Sequence, residues 1–175
     1  MVHGVVIPAD SEQALVVREF TSLEDYQSAV GGWIEAVDLP GLGATVYVNE
    51  EGLLRQLPLN GRASFLWWYH VPAVRQNAML VGDAVVIGLP DHSGNNTDLP
   101  LQVRDQLLTA VPHVIELRLN GQPGWHRTQA IYPDYLEAIV WAMVLLERIP
   151  EAVDVRVLPV DLDEIPISSK APAAA

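Results

Sequence analysis

The chain has 175 residues, half of them hydrophobic, with 22 acids against ten bases and a formal net charge of −12. That length suits one large domain or two small ones, and the apolar content excludes global disorder, which couples high charge to low hydrophobicity. With no cysteine in the chain, a disulfide framework, a thiol nucleophile, a thiolate zinc site and an iron–sulfur cluster are all excluded.

In chain order, Val5-Val6-Ile7 and Leu15 to Phe20 read as strands around a Pro8-Ala9-Asp10 turn. Thr21 or Ser22 caps a short helix with Leu23, Tyr26 and Val30 at helical spacing, ended by Gly31-Gly32. Trp33 to Leu39 alternates as a half-buried strand, with Trp33, Glu35 and Val37 on one face. Pro40 to Gly43 turns into a strand over Ala44 to Val48, and Asn49-Glu50-Glu51-Gly52 is a polar turn. Asn60 supplies the N-cap of a helix through Tyr69, which places Phe65, Trp68 and Tyr69 on one face. Ala84 to Ile87, after Gly82-Asp83, reads as a buried strand.

Asp91 to Asp98 is a run of eight polar or small residues and reads as a linker. A helix follows over Pro100 to Val111, then an alternating strand over His113 to Leu119, a hairpin turn at Asn120 to Gly124, and a return strand over Trp125 to Tyr132. Asp134 with Glu137 makes a capping-box start for a helix over Tyr135 to Ile149, stopped by Pro150. Val153 to Val157 is a last strand, and beyond Leu158 the chain becomes acidic, then rich in Pro and Ala. The expected fold class is α+β. A β-rich domain with two short helices covers 1–90, a linker 91–98, a β-β-α-β unit with a leading helix 99–160, and a tail expected to fray 161–175.

Most catalytic motifs fail on the residues present. A phosphate loop needs Lys before Ser or Thr, and the single lysine, Lys170, precedes Ala171. Gly41-Leu42-Gly43 leads into a strand, so no helix N-terminus stands behind it to hold a dinucleotide. The histidines His3, His70, His92, His113 and His126 lack the spacing of a metal motif. His113 and His126 are the one pair that could face each other across the hairpin, where a surface pair is the competing reading. Ser64 sits in no nucleophile elbow, and the adjacent acids Glu24/Asp25, Glu50/Glu51 and Asp163/Glu164 diverge rather than converge. The expectation is no metal, no cofactor and no catalytic residue, with the balance against an enzyme.

Two stretches are candidates for binding. Asn60, Arg62, Trp67, Trp68 and His70 make the aromatic-rich stretch nearest a base, where stacking plus one guanidinium could hold a ring. The competing reading makes the tryptophans core anchors. Trp125 and Arg127 match an interface anchor pair if exposed, and a hairpin-end core residue with its neighbour if not.

Five blocks taken together point to a family. They are Val6 to Asp10, Val30 to Val37 (VGGWIEAV), Thr45 to Gly52 (TVYVNEEG), Leu57 to Ala63 (LPLNGRA) and Val81 to Val86 (VGDAVV). In this order they resemble a domain of unknown function found in actinobacterial phage, plasmid and conjugative-element proteins, over about residues 5–90. The family pattern commonly has a further Arg beside the helix-block Asn, where this chain has Gly61. The resemblance implies a mobile-element accessory protein and no particular activity.

The charge is consistent with that reading. An average chain of this size carries roughly 22 acids and roughly 22 bases, so the acids here are ordinary and the bases scarce. The acids also divide evenly, 11 before Ser93 and 11 from there on. Direct nucleic-acid binding is therefore disfavoured, and an acidic DNA mimic that inhibits a restriction or defence protein is a second expectation. A small-ligand binder or small enzyme with a pocket near Asn60, Arg62 and Trp67 is a third. The first expectation is a non-enzymatic accessory protein that binds a protein partner, host or self. The first eight residues lack the basic region and long apolar run of a signal peptide, so a cytoplasmic location is expected.

Overall fold

A computed structural model describes residues 1–160; the tail expected to fray, 161–175, lies outside the described residues. The first half consists of two antiparallel hairpins joined by one central strand. β1 (Val2–Ile7) pairs with β2 (Val16–Phe20), and β3 (Ile34–Leu39) pairs with β4 (Ala44–Asn49). β5 (Ala84–Gly88) inserts between β1 and β4, giving the order β2-β1-β5-β4-β3 with every neighbour antiparallel.

Register explains why β5 is apolar throughout. Val86 lies opposite Val5 on one side and Val46 on the other, and these three point to one face. Val85 lies opposite Val6 and Tyr47, which point to the other. Because both faces are covered, a continuous apolar run replaces the alternation of a half-solvated strand. α1 (Leu23–Val30) crosses one face, where Tyr26 stacks on Phe20 at 4.5 Å and meets Tyr47 edge-on at 5.3 Å. Asp25 accepts from the backbone N–H of Thr21 and Ser22 at 2.7 and 3.0 Å, fastening the start of this helix. Gly31, at φ 75°, ends it in the left-handed conformation.

The opposite face is covered by α2 (Gly61–His70) and by the second half. That half runs α3 (Leu101–Leu108), β6 (His113–Leu119), β7 (His126–Tyr132), α4 (Tyr135–Arg148) and β8 (Ala152–Pro159). Its sheet has the order β7-β6-β8. Ile115, Leu117 and Val155 pack on Ala142 and Met143 of α4, while Phe65, Trp68 and Tyr69 of α2 join the same cluster. The helices α2 and α4 are thus held between two sheets. Mixed α+β architecture, with strands dominating the N-terminal part, is the fold the alternation patterns anticipate.

The halves share a core. Leu99, Val103, Leu107, Tyr135, Leu136 and Ile139 belong to the cluster that contains Val5, Ile7, Val46 and Leu66. The 91–98 segment is tied to the first sheet. Asp98 accepts the backbone N–H of His3 at 2.7 Å, the Tyr47 hydroxyl donates to Asn96 at 2.7 Å, and Thr97 bridges to Gly88.

One expected pairing is corrected. His113 lies opposite Tyr132, and His126 lies opposite Leu117, four residues along β6 from His113; β7 carries an irregularity between Arg127 and Ile131. His113 is buried, donating from Nδ1 to the Val111 carbonyl at 2.6 Å. The two histidines therefore do not face each other.

Candidate functional site

The five candidate residues of α2 point in different directions, because a helix turns about 100° per residue. Asn60 is fully buried at the N-cap. Its Oδ1 accepts from the Ala63 N–H at 3.0 Å, and its Nδ2 donates to the carbonyls of Ile7 and Gly82 at 2.8 and 3.0 Å. Three of the family blocks meet here, its own and those of Ile7 and Gly82. Asp83, one residue further on, accepts the N–H of Ala9 at 2.9 Å, so the VGDAVV block also holds the turn after β1.

Arg62 braces the loop after β1. Nη1 donates to the Gln13 carbonyl at 2.9 Å, and Nη2 to those of Pro8 and Asp10 at 2.8 and 2.9 Å. Burial lowers its pKa, and the nearby charges of Asp10 and Asp134 partly offset that. Trp68 donates its indole N–H to the Ala78 carbonyl at 2.7 Å and meets Phe65 edge-on. His70 shares a 2.9 Å hydrogen bond between Nε2 and the Tyr135 hydroxyl. Burial pushes the His70 pKa down to about 4 and raises that of Tyr135, so this bond joins two neutral groups at the meeting of the halves. Trp67 is half-buried and turns toward β3 and β4.

Trp125 and Arg127 sit elsewhere, on the side of the second sheet away from α4. The Arg156 guanidinium lies over the Trp125 ring at 4.5 Å and that of Arg118 at 5.8 Å. Glu116, nearly buried, accepts from Arg156 Nε at 2.7 Å and from Arg127 Nε at 3.3 Å. Burial pushes the Glu116 carboxyl up, but the bonds and charges of Arg156 and Arg127 outweigh it, leaving the pKa below its ordinary value. Arg118 pairs with Asp154 at 3.3 Å. Glu116 and Arg156 are legible in hindsight as outward positions of alternating strands, yet only the register places them opposite each other.

Beyond a small hollow of about 60 Å³ at Trp68, two larger concavities adjoin the α2 candidates. A hollow of about 180 Å³ lies beside β3, lined by Val37, Val48, Leu53, Trp67 and Met79 among others. Leu53 and Met79 are exposed on it, and close by in the chain Trp33 is 63% and Leu54 86% exposed. The second, an open groove of about 540 Å³, is lined by Arg62 together with the 11–15 loop, the end of α3 and the start of α4. Asn60 lines neither. Leu53 and Met79 carry no motif; their sequence signal is only that they are large apolar residues inside turn segments. Among the described residues, no group of three or more His, Asp or Glu side chains could hold a metal ion, and no helix is long and apolar enough to cross a membrane.

An antiparallel α+β protein whose sequence blocks brace its own backbone, with concavities beside them, is the class that fold and site define. The chain belongs to the family described as Domain of unknown function (DUF3846), which matches residues 2–111. The sequence blocks resemble an uncharacterised domain over the first half, and the match bears that out while running on through α3. No curated protein and no solved structure matches the chain.

Proposed function

We propose that this protein is a non-enzymatic accessory protein of a phage or plasmid, of actinobacterial type, and that it works in the cytoplasm by binding another protein. The mobile-element part rests on the resemblance of the five sequence blocks. The observation that carries the binding part is the apolar hollow beside β3. β3 is an edge strand, so its outer backbone groups lack a strand neighbour. An exposed edge next to exposed apolar side chains is the arrangement used by sheets that accept an added strand. Val37, Leu53, Trp67 and Met79 offer the side-chain pocket, and Trp33 flanks it.

The other readings draw less support. Asn60 and the Arg62 Nη groups spend their hydrogen bonds on their own backbone, which leaves a small polar ligand few convergent partners there. The carboxylates of Asp25, Asp83, Asp91 and Asp98 likewise hold backbone N–H groups of their own chain, rather than standing free as phosphate mimics.

Affinity capture from the native host, with mass-spectrometric identification, tests the reading. The wild-type chain is expected to retain a defined protein, and Leu53→Asp with Trp33→Ala to lose it without a change in melting temperature, since both side chains are exposed. Capture that is unaltered by the variants, or an empty capture beside tight retention of a small molecule, overturns it.

A further inference from the structure

We propose that the groove between the 11–15 loop, the end of α3 and the start of α4 seats an amphipathic helix that carries Lys or Arg on both flanks of its apolar stripe. The groove shares no lining residue with the hollow beside β3, so the two surfaces stand or fall separately.

Shape comes first. Leu136 and Val140 are four residues apart, hence on one face of α4, and Leu107 and Leu108 come from the last turn of α3. Leu15 closes the floor from the loop side. A cleft with apolar side chains from two helices is filled by the ridge of a third helix.

Charge then selects the occupant. Glu12 stands exposed on the loop wall and Glu137 exposed on α4, with Asp134 half-exposed beside it. Among the described residues Arg62 is the one guanidinium in the lining, and its Nη groups donate to the carbonyls of Pro8, Asp10 and Gln13. Its Nε is buried, away from the groove's solvent. An acidic ligand would thus meet three carboxylates and a single guanidinium that already spends three of its five N–H on the chain's own carbonyls, whereas cations on either side of an apolar stripe would meet Glu12 on one wall and Glu137 on the other. The N-terminus of α4 adds only about half a positive charge, and Asp134 already caps it. The chain's net charge of −12 further draws a basic segment toward the surface.

The test titrates the ¹⁵N-labelled full chain with three synthetic peptides of equal length. One is a Leu/Lys amphipathic helix, one has Glu for every Lys, and one is a scrambled Leu/Lys sequence without an apolar stripe. The amphipathic Lys peptide is expected to give saturable shifts centred on Leu15, Leu108 and Val140, and to bind at least tenfold more tightly than the other two. Glu12→Gln with Glu137→Gln should weaken it about fivefold, as two exposed ion pairs allow, and Val140→Asn should weaken it further. Gln at position 137 keeps the backbone N–H that the Asp134 side chain caps, so these variants fold. Glu50→Gln with Glu51→Gln, outside the groove, should change nothing. Shifts scattered over the acidic surface, equal binding of the scrambled peptide, no binding, or an equal loss in the Glu50/Glu51 control each overturn the proposal.

Discussion

Asn60 shows what one side chain can do when every polar atom is used. It caps α2 and ties β1 to the turn before β5 through the carbonyls of Ile7 and Gly82. Asn60→Ala should cost about 3 kcal/mol, from the lost cap and two buried carbonyls left without a donor. Asn60→Asp keeps the cap acceptor but turns a carboxylate oxygen toward those carbonyls, so it should cost more than Ala despite its closer shape. Urea midpoints of the two variants check the order. The cap was legible in the sequence because it is local; the bonds to residues 7 and 82 join positions that only the fold brings together.

His70 sets an acid limit at the same scale. Its pKa falls to about 4 in the folded chain, against roughly 6.5 when unfolded. The unfolded state therefore binds the extra proton first. Stability should be complete above about pH 6.5, fall as pH drops toward 4, and level off below that. The loss is on the order of 3 kcal/mol, and melting temperatures of the wild type and His70→Phe across pH 4 to 7 should show it vanish in the variant. A histidine at the end of an apolar helix could be read as surface or core; burial against Tyr135 decides it.

Among the elements, the three-stranded sheet depends on Glu116, which joins the outer strands β7 and β8 through Arg127 and Arg156. Its pKa is depressed, so its contribution is present above the ordinary carboxylate range and lost as pH falls through the folded value. Glu116→Gln should destabilise the chain by about 1–2 kcal/mol. Hydrogen exchange should quicken first in the outer strands β7 and β8, each paired on one side only. The elements themselves were readable almost to their ends. β6 spans His113–Leu119 as its alternation predicts, and α2 and α4 start at their Asn60 and Asp134 caps. The end of α3 was not so readable. The apolar spacing continues to Val111, but the helix stops at Leu108, and the chain turns to enter β6. Nor was the irregularity in β7 readable, since nothing in the alternation of Trp125 to Tyr132 marks where pairing slips.

For the whole molecule, the shared core predicts one cooperative transition. Ile139→Ala in α4, fully buried against residues of the first sheet, should cost about 3 kcal/mol. It should lower the melting of both halves together, as read by near-ultraviolet dichroism of the aromatic clusters and by calorimetry. A chain cut after residue 98 would uncover Phe65, Trp68 and Tyr69, which pack on the second half. It should bind a hydrophobic dye that the full chain does not.

The sequence by itself determined the element types and their order, the α+β class, the helix caps and the family, because periodicity, capping and block order are local properties of the chain. It also established that the acids are ordinary in number and the bases few. Only the tertiary structure decided that Asn60 and Arg62 brace backbone, that Trp67 lines a hollow with Leu53 and Met79, and that Trp125 lies under Arg156. Those relations join residues tens of positions apart, and the hydrogen bonds and buried area that set them exist only once strands have chosen their register.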